Sequence, residues 1–259
     1  MMTPEFLRSR HSVRRYNNDP IEASAVKALK AEITMINTHE AGMHFELVCN
    51  DNAPFEGFRA SYGMFSGVRN YIAAVVDRSF PDVMEKAGYF SQQIVMKATA
   101  LGLGTCYVGG TFDESRVNVV LRPDRKILFI IAVGYAESKK DTFISGIAMK
   151  LAHRNDRKAD DFFEPTGDFT LAEAKKIMPW LNNGLEGLSS APSSLNRQPV
   201  RIRAIEKSGL EWIDGPTVTA EVDGSNQKNL IDLGIGKFNF AEAAGGSWEW
   251  GNGAPFIPG

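Results

Sequence analysis

Apolar residues recur along this chain with two different periods, and the alternation between them predicts its elements. Ile21, Ala25, Leu29 and Ile33 follow one another at helical spacing. Ahead of them Asp19-Pro20-Ile21-Glu22 reads as a helix start, with Asp as cap, Pro in the first turn and Glu completing a capping box, so the spacing predicts a helix over about 20–36. Phe45 to Cys49 alternates as a half-buried strand should, and Asn50 to Pro54 is turn chemistry. The glycine-punctuated segment Ser61 to Asn70 leads into an apolar strand, Tyr71 to Val76. From Met84 to Leu101 the period is helical again, with Ala87, Phe90, Ile94, Ala98 and Leu101 on one face and Gly102 as the stop. Ile127 to Tyr135 is apolar without interruption, as expected of a strand covered on both faces.

After a connector, Ala159 to Pro165, the pattern starts over. Thr170-Leu171-Ala172-Glu173 is another capping box, and Leu171, Ala174, Ile177, Met178 and Leu181 form a stripe broken by Pro179. Pro20–Ile36 corresponds to Leu171–Asn182, Phe45–Cys49 to Val200–Ile205 and Tyr71–Asp77 to Thr217–Asp223, the last two both closing on Val-Asp. Lys86-Ala87-Gly88-Tyr89-Phe90 matches Ile231-Asp232-Leu233-Gly234-Ile235, a helix with an internal glycine. The order suggests a degenerate internal duplication with halves 1–165 and 166–259, a single chain resembling a dimer folded onto itself.

Composition narrows the function classes. At 259 residues with 43% hydrophobic and 23% charged residues, the chain has the material of an ordinary soluble protein, and a net charge of −2 gives no reason to expect a nucleic-acid partner. Cys49 and Cys106 stand far apart without metal-ligand spacing, and four scattered histidines argue poorly for a metal or a catalytic triad. No apolar leader and no membrane-length apolar run is visible, so a cytoplasmic protein with no membrane partner is expected.

Against that neutral background, Leu7 to Tyr16 packs four arginines, two serines and His11 into ten residues. In an extended segment Arg10, Ser12 and Arg14 point to one side, where planar guanidinium groups and a hydroxyl can grip a phosphate; the same residues would also suit a solvated basic arm, with His11 as a spacer. Gly102 to Gly110 is not a dinucleotide loop, because it follows a helix and Tyr107 takes the place of the third glycine. Its glycines still mark places of close backbone approach. A second basic cluster, His153 to Lys158, precedes the connector. The second half carries Ser190 to Val200, stiffened by Pro192 and Pro199, where Ser193, Ser194, Asn196 and Gln198 offer donors and acceptors for the polar edge of a heterocycle. The first half has nothing like it, and unequal halves imply one site assembled from both.

These motifs resemble the flavin-dependent nitroreductase family, and above all its single-chain, internally duplicated members. Arg10-His11-Ser12-Val13-Arg14 resembles the family's Arg-x-Ser-x-Arg motif, Pro192 to Pro199 its Pro-Ser-x-x-Asn-x-Gln-Pro motif, and Leu101 to Cys106 with Gly109-Gly110 its Gly-Leu-Gly segment and the turn beside the flavin ring. The resemblance covers Arg8 to Lys158 and the second half to about Gly246, leaving the Trp248–Gly251 tail outside it. It implies an α+β fold with a mainly antiparallel central sheet flanked by helices in two pseudo-symmetric halves, and FMN as bound cofactor. Arg10, Arg14, Arg157 and Lys158 would hold its phosphate with Ser12, and His11 would count among the cofactor-binding residues of the same motif. Val108, Gly109 and Gly110 would lie against the reactive edge of the ring, and Pro192, Ser193, Ser194 and Asn196 would close the opposite side, with Gln198 a further contact. The implied reaction is ping-pong hydride transfer from NADH or NADPH through flavin N5 to a nitroaromatic or quinone acceptor, with no catalytic acid or base required, in a monomer acting as a pseudo-dimer. A flavin carrier or sensor without turnover is the alternative.

Overall fold

The chain is described here from a computed structural model covering residues 1–56, 64–137, 157–167, 169–206 and 216–259. Ser61 to Gly63 of the glycine-punctuated segment and His153 to Asp156 of the second basic cluster therefore lie outside the described residues. The chain divides into two units: a first of Ser9–Val83 with Gln93–Thr142, and a second of Met1–Arg8, Met84–Gln92 and Phe143–Gly259.

In the first unit the alternating and apolar segments form an antiparallel four-stranded sheet. Its strands are β1 (Met43–Cys49), β2 (Asn70–Val76), β3 (Gly104–Val108) and β4 (Lys126–Gly134), in the order β1-β2-β4-β3. β2 is buried at every position, because it is a central strand covered on both faces, and β4 is buried along most of its length. Helix α1 (Pro4–Ser9) belongs, up to Arg8, to the second unit, while helix α2 (Ala23–His39) of the first has Ala25, Leu29 and Ile33 buried as their spacing required. Asn37 of α2 exchanges two 2.8 Å hydrogen bonds with the backbone of Phe45 and so fixes the helix against β1.

The helix does not begin where the capping box placed it. Asp19 closes a local turn with Asn17 instead, accepting from the Asn17 amide at 2.6 Å while its own N–H donates back at 3.1 Å, and α2 starts at Ala23 with no side-chain cap on Glu22. In the second unit the capping box of Thr170 and Glu173 forms as read, but Pro179 splits the stripe into α4 (Leu171–Ile177) and α5 (Trp180–Ser189). Ile177 is on the wrong side of that break and is 52% exposed.

Helix α3 (Val83–Ala100) ends at Gly102, whose φ of +76° reverses the chain into β3. In the second unit β5 (Arg201–Ile205) pairs antiparallel with β6 (Thr217–Glu221), and α6 (Gln227–Ala244) ends at Gly245 with φ +75°. The Trp248 tail then forms β7 (Gly246–Trp248), paired with β8 (Phe256–Pro258). A bridge from Thr219 to Pro255 lays that pair beside β6, so β5, β6, β8 and β7 follow the same order as β1, β2, β4 and β3.

Within the second unit the Met84–Gln92 stretch of α3 crosses α6 at two glycines. A Cβ on Gly88 would collide with the carbonyl oxygen of Ile231, and a Cβ on Gly234 with that of Glu85. Each glycine thus meets the residue three before the other, a reciprocal contact. Beside it Gln92 donates to Asn239 at 2.9 Å between two fully buried side chains. The unit's apolar core gathers Leu181, Leu185, Leu188, Ile202, Phe240 and Trp248 around these helices.

Candidate functional site

The N-terminal arm of the first unit is held as an added strand. Ser12 bridges Thr105 of β3 in parallel, and the Val13 N–H donates to the Thr105 carbonyl at 2.9 Å. Val13 is buried against Gly104, where a Cβ would strike its side chain, so a glycine there lets the arm approach the sheet. Tyr16, also buried, donates from its hydroxyl to the Val13 carbonyl at 2.8 Å and lies 3.2 Å from that of Ala132. Backbone bonds of 3.0 Å from Tyr16 to Ser66 and from Ser66 to Arg14 complete the anchorage.

This threading brings Arg10, Ser12 and Arg14 around one thiol. Burial pushes the Cys106 thiol up, opposed by the Arg14 charge, a hydrogen bond with Ser12 and the Arg10 charge. Arg10 itself is held below the ordinary guanidinium value by burial, against the opposing influence of Tyr107 and Cys106. Its Nε is buried without a hydrogen-bond partner, and among the described residues neither Arg10 nor Arg14 has an acidic side chain within ion-pair distance. A buried guanidinium N–H without an acceptor is costly, and an anionic oxygen satisfies it. His11 is exposed, 3.4 Å from the Ser9 carbonyl. Further along β3, Val108 is buried while Gly109 and Gly110 are exposed with open space where side chains would stand.

In the second unit the Pro192 to Gln198 loop is under backbone strain. Leu195, Asn196 and Gln198 adopt left-handed conformations with φ of 54°, 52° and 48°, which cost a leucine more than an asparagine. Its own bonds hold it: the Asn196 N–H donates to the Ser193 carbonyl at 3.0 Å, and the Gln198 N–H to the Ser193 hydroxyl at 2.8 Å. Arg157 is fastened to the same loop, its N–H donating to Gln198 Oε1 at 3.0 Å and its Nη1 to the Gln198 carbonyl at 3.1 Å. The guanidinium also bonds the Asp161 carbonyl and lies 4.5 Å over the Phe162 ring. Burial, then the neighbouring Arg201, lower its proton affinity. Lys158 is exposed, and its N–H donates to Asp161 at 2.9 Å. The structure therefore joins Arg157 to Gln198, which stand 41 residues apart in sequence.

One group at this loop escaped the sequence reading. Asp232 of α6, 5% exposed, accepts the Ser194 N–H at 3.0 and 3.1 Å through its two oxygens. Burial raises its proton affinity to about 7 although the Ser194 N–H and Arg197 pull the other way. The available signal was a lone carboxylate inside the apolar run Leu230 to Ile235.

Among the described residues no group of three or more His, Cys, Asp or Glu could hold a metal ion, and no helix is long and apolar enough to cross a membrane. No curated protein matches the chain. Among solved structures, a "putative" nitroreductase from Thermotoga maritima aligns over 99% of this chain and 92% of its own at 20% identity, with a TM-score of 0.59, a likeness of fold. An FMN-dependent nitroreductase from Clostridium difficile aligns over 59% of this chain and 96% of its own at 18% identity with a TM-score of 0.43. A "putative" nitroreductase from Desulfovibrio desulfuricans solved in complex with FMN aligns over 54% of this chain and 92% of its own at 21% identity with a TM-score of 0.40. The family model described as "Putative TM nitroreductase" matches residues 3–244, and the chain belongs to that nitroreductase family.

Proposed function

We propose that this chain is an FMN-dependent NAD(P)H oxidoreductase of nitroreductase type. The observation that carries the reading is the cluster of Arg10, Ser12 and Arg14 on the arm that bridges β3, where a buried guanidinium N–H lacks an acceptor and β3 runs out into an open glycine turn. Arg10, Arg14 and Ser12 would bind the phosphate, with Lys158 adding positive charge; Arg157 would act there or through its hold on Gln198. Backbone at Val108, Gly109 and Gly110 would admit a flat ring without a side chain in the way. Pro192, Ser193, Ser194 and Asn196 would orient it from a loop whose conformation is fixed in advance. When bound, FMN would supply the redox chemistry, taking hydride from NADH or NADPH at N5 and passing the electrons to a quinone or nitroaromatic in a ping-pong cycle. The protein's own work is binding, orientation and electrostatics.

The recurring strand order, the two left-handed glycine stops and the reciprocal glycine crossing support a duplicated chain with halves near 1–165 and 166–259, acting as a cytoplasmic monomer in place of a dimer. Purified protein is expected to be yellow, to bleach anaerobically with NADH or NADPH, and to recover its colour with menadione. Yellow protein inert to both nicotinamides would identify a flavin carrier or sensor, and a chain that takes up no FMN removes the proposal altogether. Arg14→Ala is expected to weaken FMN binding by about 1.5–3 kcal/mol, measured by quenching of flavin fluorescence, because it deletes charged hydrogen bonds. An unchanged affinity removes Arg14 from the site.

A further inference from the structure

A cleft of about 530 Å³ opens at the β1 edge of the first unit's sheet, lined by the N-terminal part of α2 and the end of β1. The arginine arm bridges β3, at the opposite edge of that sheet, so the cleft is separate from the cluster of Arg10, Ser12 and Arg14. Its volume falls within the roughly 300–1,000 Å³ usual for a small-molecule site.

Two kinds of surface meet there. Ala23 and Val26 of α2, with Ile21 ahead of the helix, make an apolar wall. Positions 23, 26, 27 and 30 form one continuous helix face, beside the stripe of Ala25, Leu29 and Ile33 that is buried in the fold. Lys27 and Lys30 complete that face and are, among the described residues, the charged side chains that line the cleft. Three residues apart, they are neighbours on the helix surface and repel, and among the described residues neither has a carboxylate within ion-pair distance. Burial pushes the Cys49 thiol up while the Lys30 charge draws it down, so the ammonium stands within electrostatic reach of a half-buried group lining the same cleft. Asn70, buried and also in the lining, accepts the Asn50 N–H at 3.1 Å. Of its own two amide N–H groups, one finds an acceptor among the described residues, the Val133 carbonyl at 3.4 Å.

An apolar wall beside paired ammonium groups complements one kind of molecule. A carboxylate offers two oxygens, enough for both lysines, and a compact hydrocarbon body removes the wall from water. An inorganic anion would leave the wall wet, and a neutral hydrocarbon would leave the repulsion between the lysines in place. We infer that this cleft is a binding site for a small organic monoacid with an apolar body, held through its carboxylate by Lys27 and Lys30. The inference is independent of the oxidoreductase reading above.

The test measures binding of 1-naphthoate and of its neutral counterpart 1-naphthalenemethanol to the full chain with FMN present, by equilibrium dialysis, alongside alkylation of Cys49 by iodoacetamide read from peptide masses. Naphthoate is expected to bind with a Kd of about 0.1 mM, about tenfold tighter than the alcohol, and at saturation to slow Cys49 alkylation about fivefold or more. The double variant Lys27→Gln, Lys30→Gln is expected to raise the naphthoate Kd about five- to tenfold and to leave that of the alcohol within about twofold. Its thermal midpoint should hold, since both positions are exposed and glutamine is a good helix former. A chain that binds no naphthoate overturns the inference. Equal affinity for acid and alcohol also overturns it, because the lysines would then read no charge. Binding that survives unchanged in the double variant, or that leaves Cys49 unprotected, would place the acid elsewhere on the chain with the same result.

Discussion

Lys237→Met is expected to destabilise the fold by about 3–5 kcal/mol, the range for breaking a buried ion pair from one side. Lys237 is 1% exposed and Glu85 2%. The ammonium lies 2.6 Å from Glu85 Oε1 and donates to the carbonyls of Glu249 at 3.1 Å and Gly251 at 2.9 Å, while Glu85 Oε2 accepts the Gly251 N–H at 3.0 Å. It also stands 5.3 Å over the Trp248 ring. One cation thus fastens α3, α6 and the turn after β7, and its removal leaves a buried carboxylate without its countercharge. Urea denaturation measures the loss. Adding Glu85→Leu to the variant should restore much of the stability, since replacing both charges by apolar groups removes the uncompensated one. A single variant within about 1 kcal/mol of wild type would show that water or another cation reaches Glu85 and would refute the account.

Asp232→Asn carries the second large effect, and its sign depends on pH. The folded state holds this carboxyl's proton affinity at about 7, above the ordinary carboxylate range, because burial disfavours the ionised form. The folded chain therefore binds a proton more tightly than the unfolded one. Its contribution is fully favourable below the unfolded value near 4, is lost as pH rises, and has gone once pH passes about 7. Asparagine keeps an oxygen for the Ser194 N–H and cannot ionise. The variant is expected to gain about 2–4 kcal/mol over wild type at pH 8 and less than about half of that at pH 5, read from denaturation curves at the two pH values. A gain that is the same at both would mean that Asp232 does not titrate in this range.

What the sequence disclosed and what it withheld follow from the range of the interactions concerned. Ala25, Leu29 and Ile33 and the strands around Ala73 and Ile130 were legible because burial imposes its period on neighbours in sequence. The start of α2 was misjudged because Asn17 competes for Asp19 locally, and two short-range motifs on overlapping residues cannot be ranked from pattern alone. The arginine arm was visible as composition, but its parallel bridge to Thr105 joins residues more than ninety positions apart. The loop was visible as a motif, yet the left-handed backbone of Leu195 is fixed by Asp232 and Gln198, whose positions only the fold supplies. The Trp248 tail lay outside the resemblance and nonetheless forms a strand pair that a bridge from Pro255 to Thr219 lays beside β6.

The crossing of Gly88 and Gly234 also limits how this chain can change. Since each glycine abuts a main-chain carbonyl of the opposing helix, a methyl group added at one position cannot be relieved by trimming any side chain opposite. Only a shift of a whole helix makes room, and that shift would drag Gln92 from Asn239 and Lys237 from Glu85. Variation in α3 and α6 is thereby steered to the faces turned away from the contact, while positions 88 and 234 behave as a single locked unit.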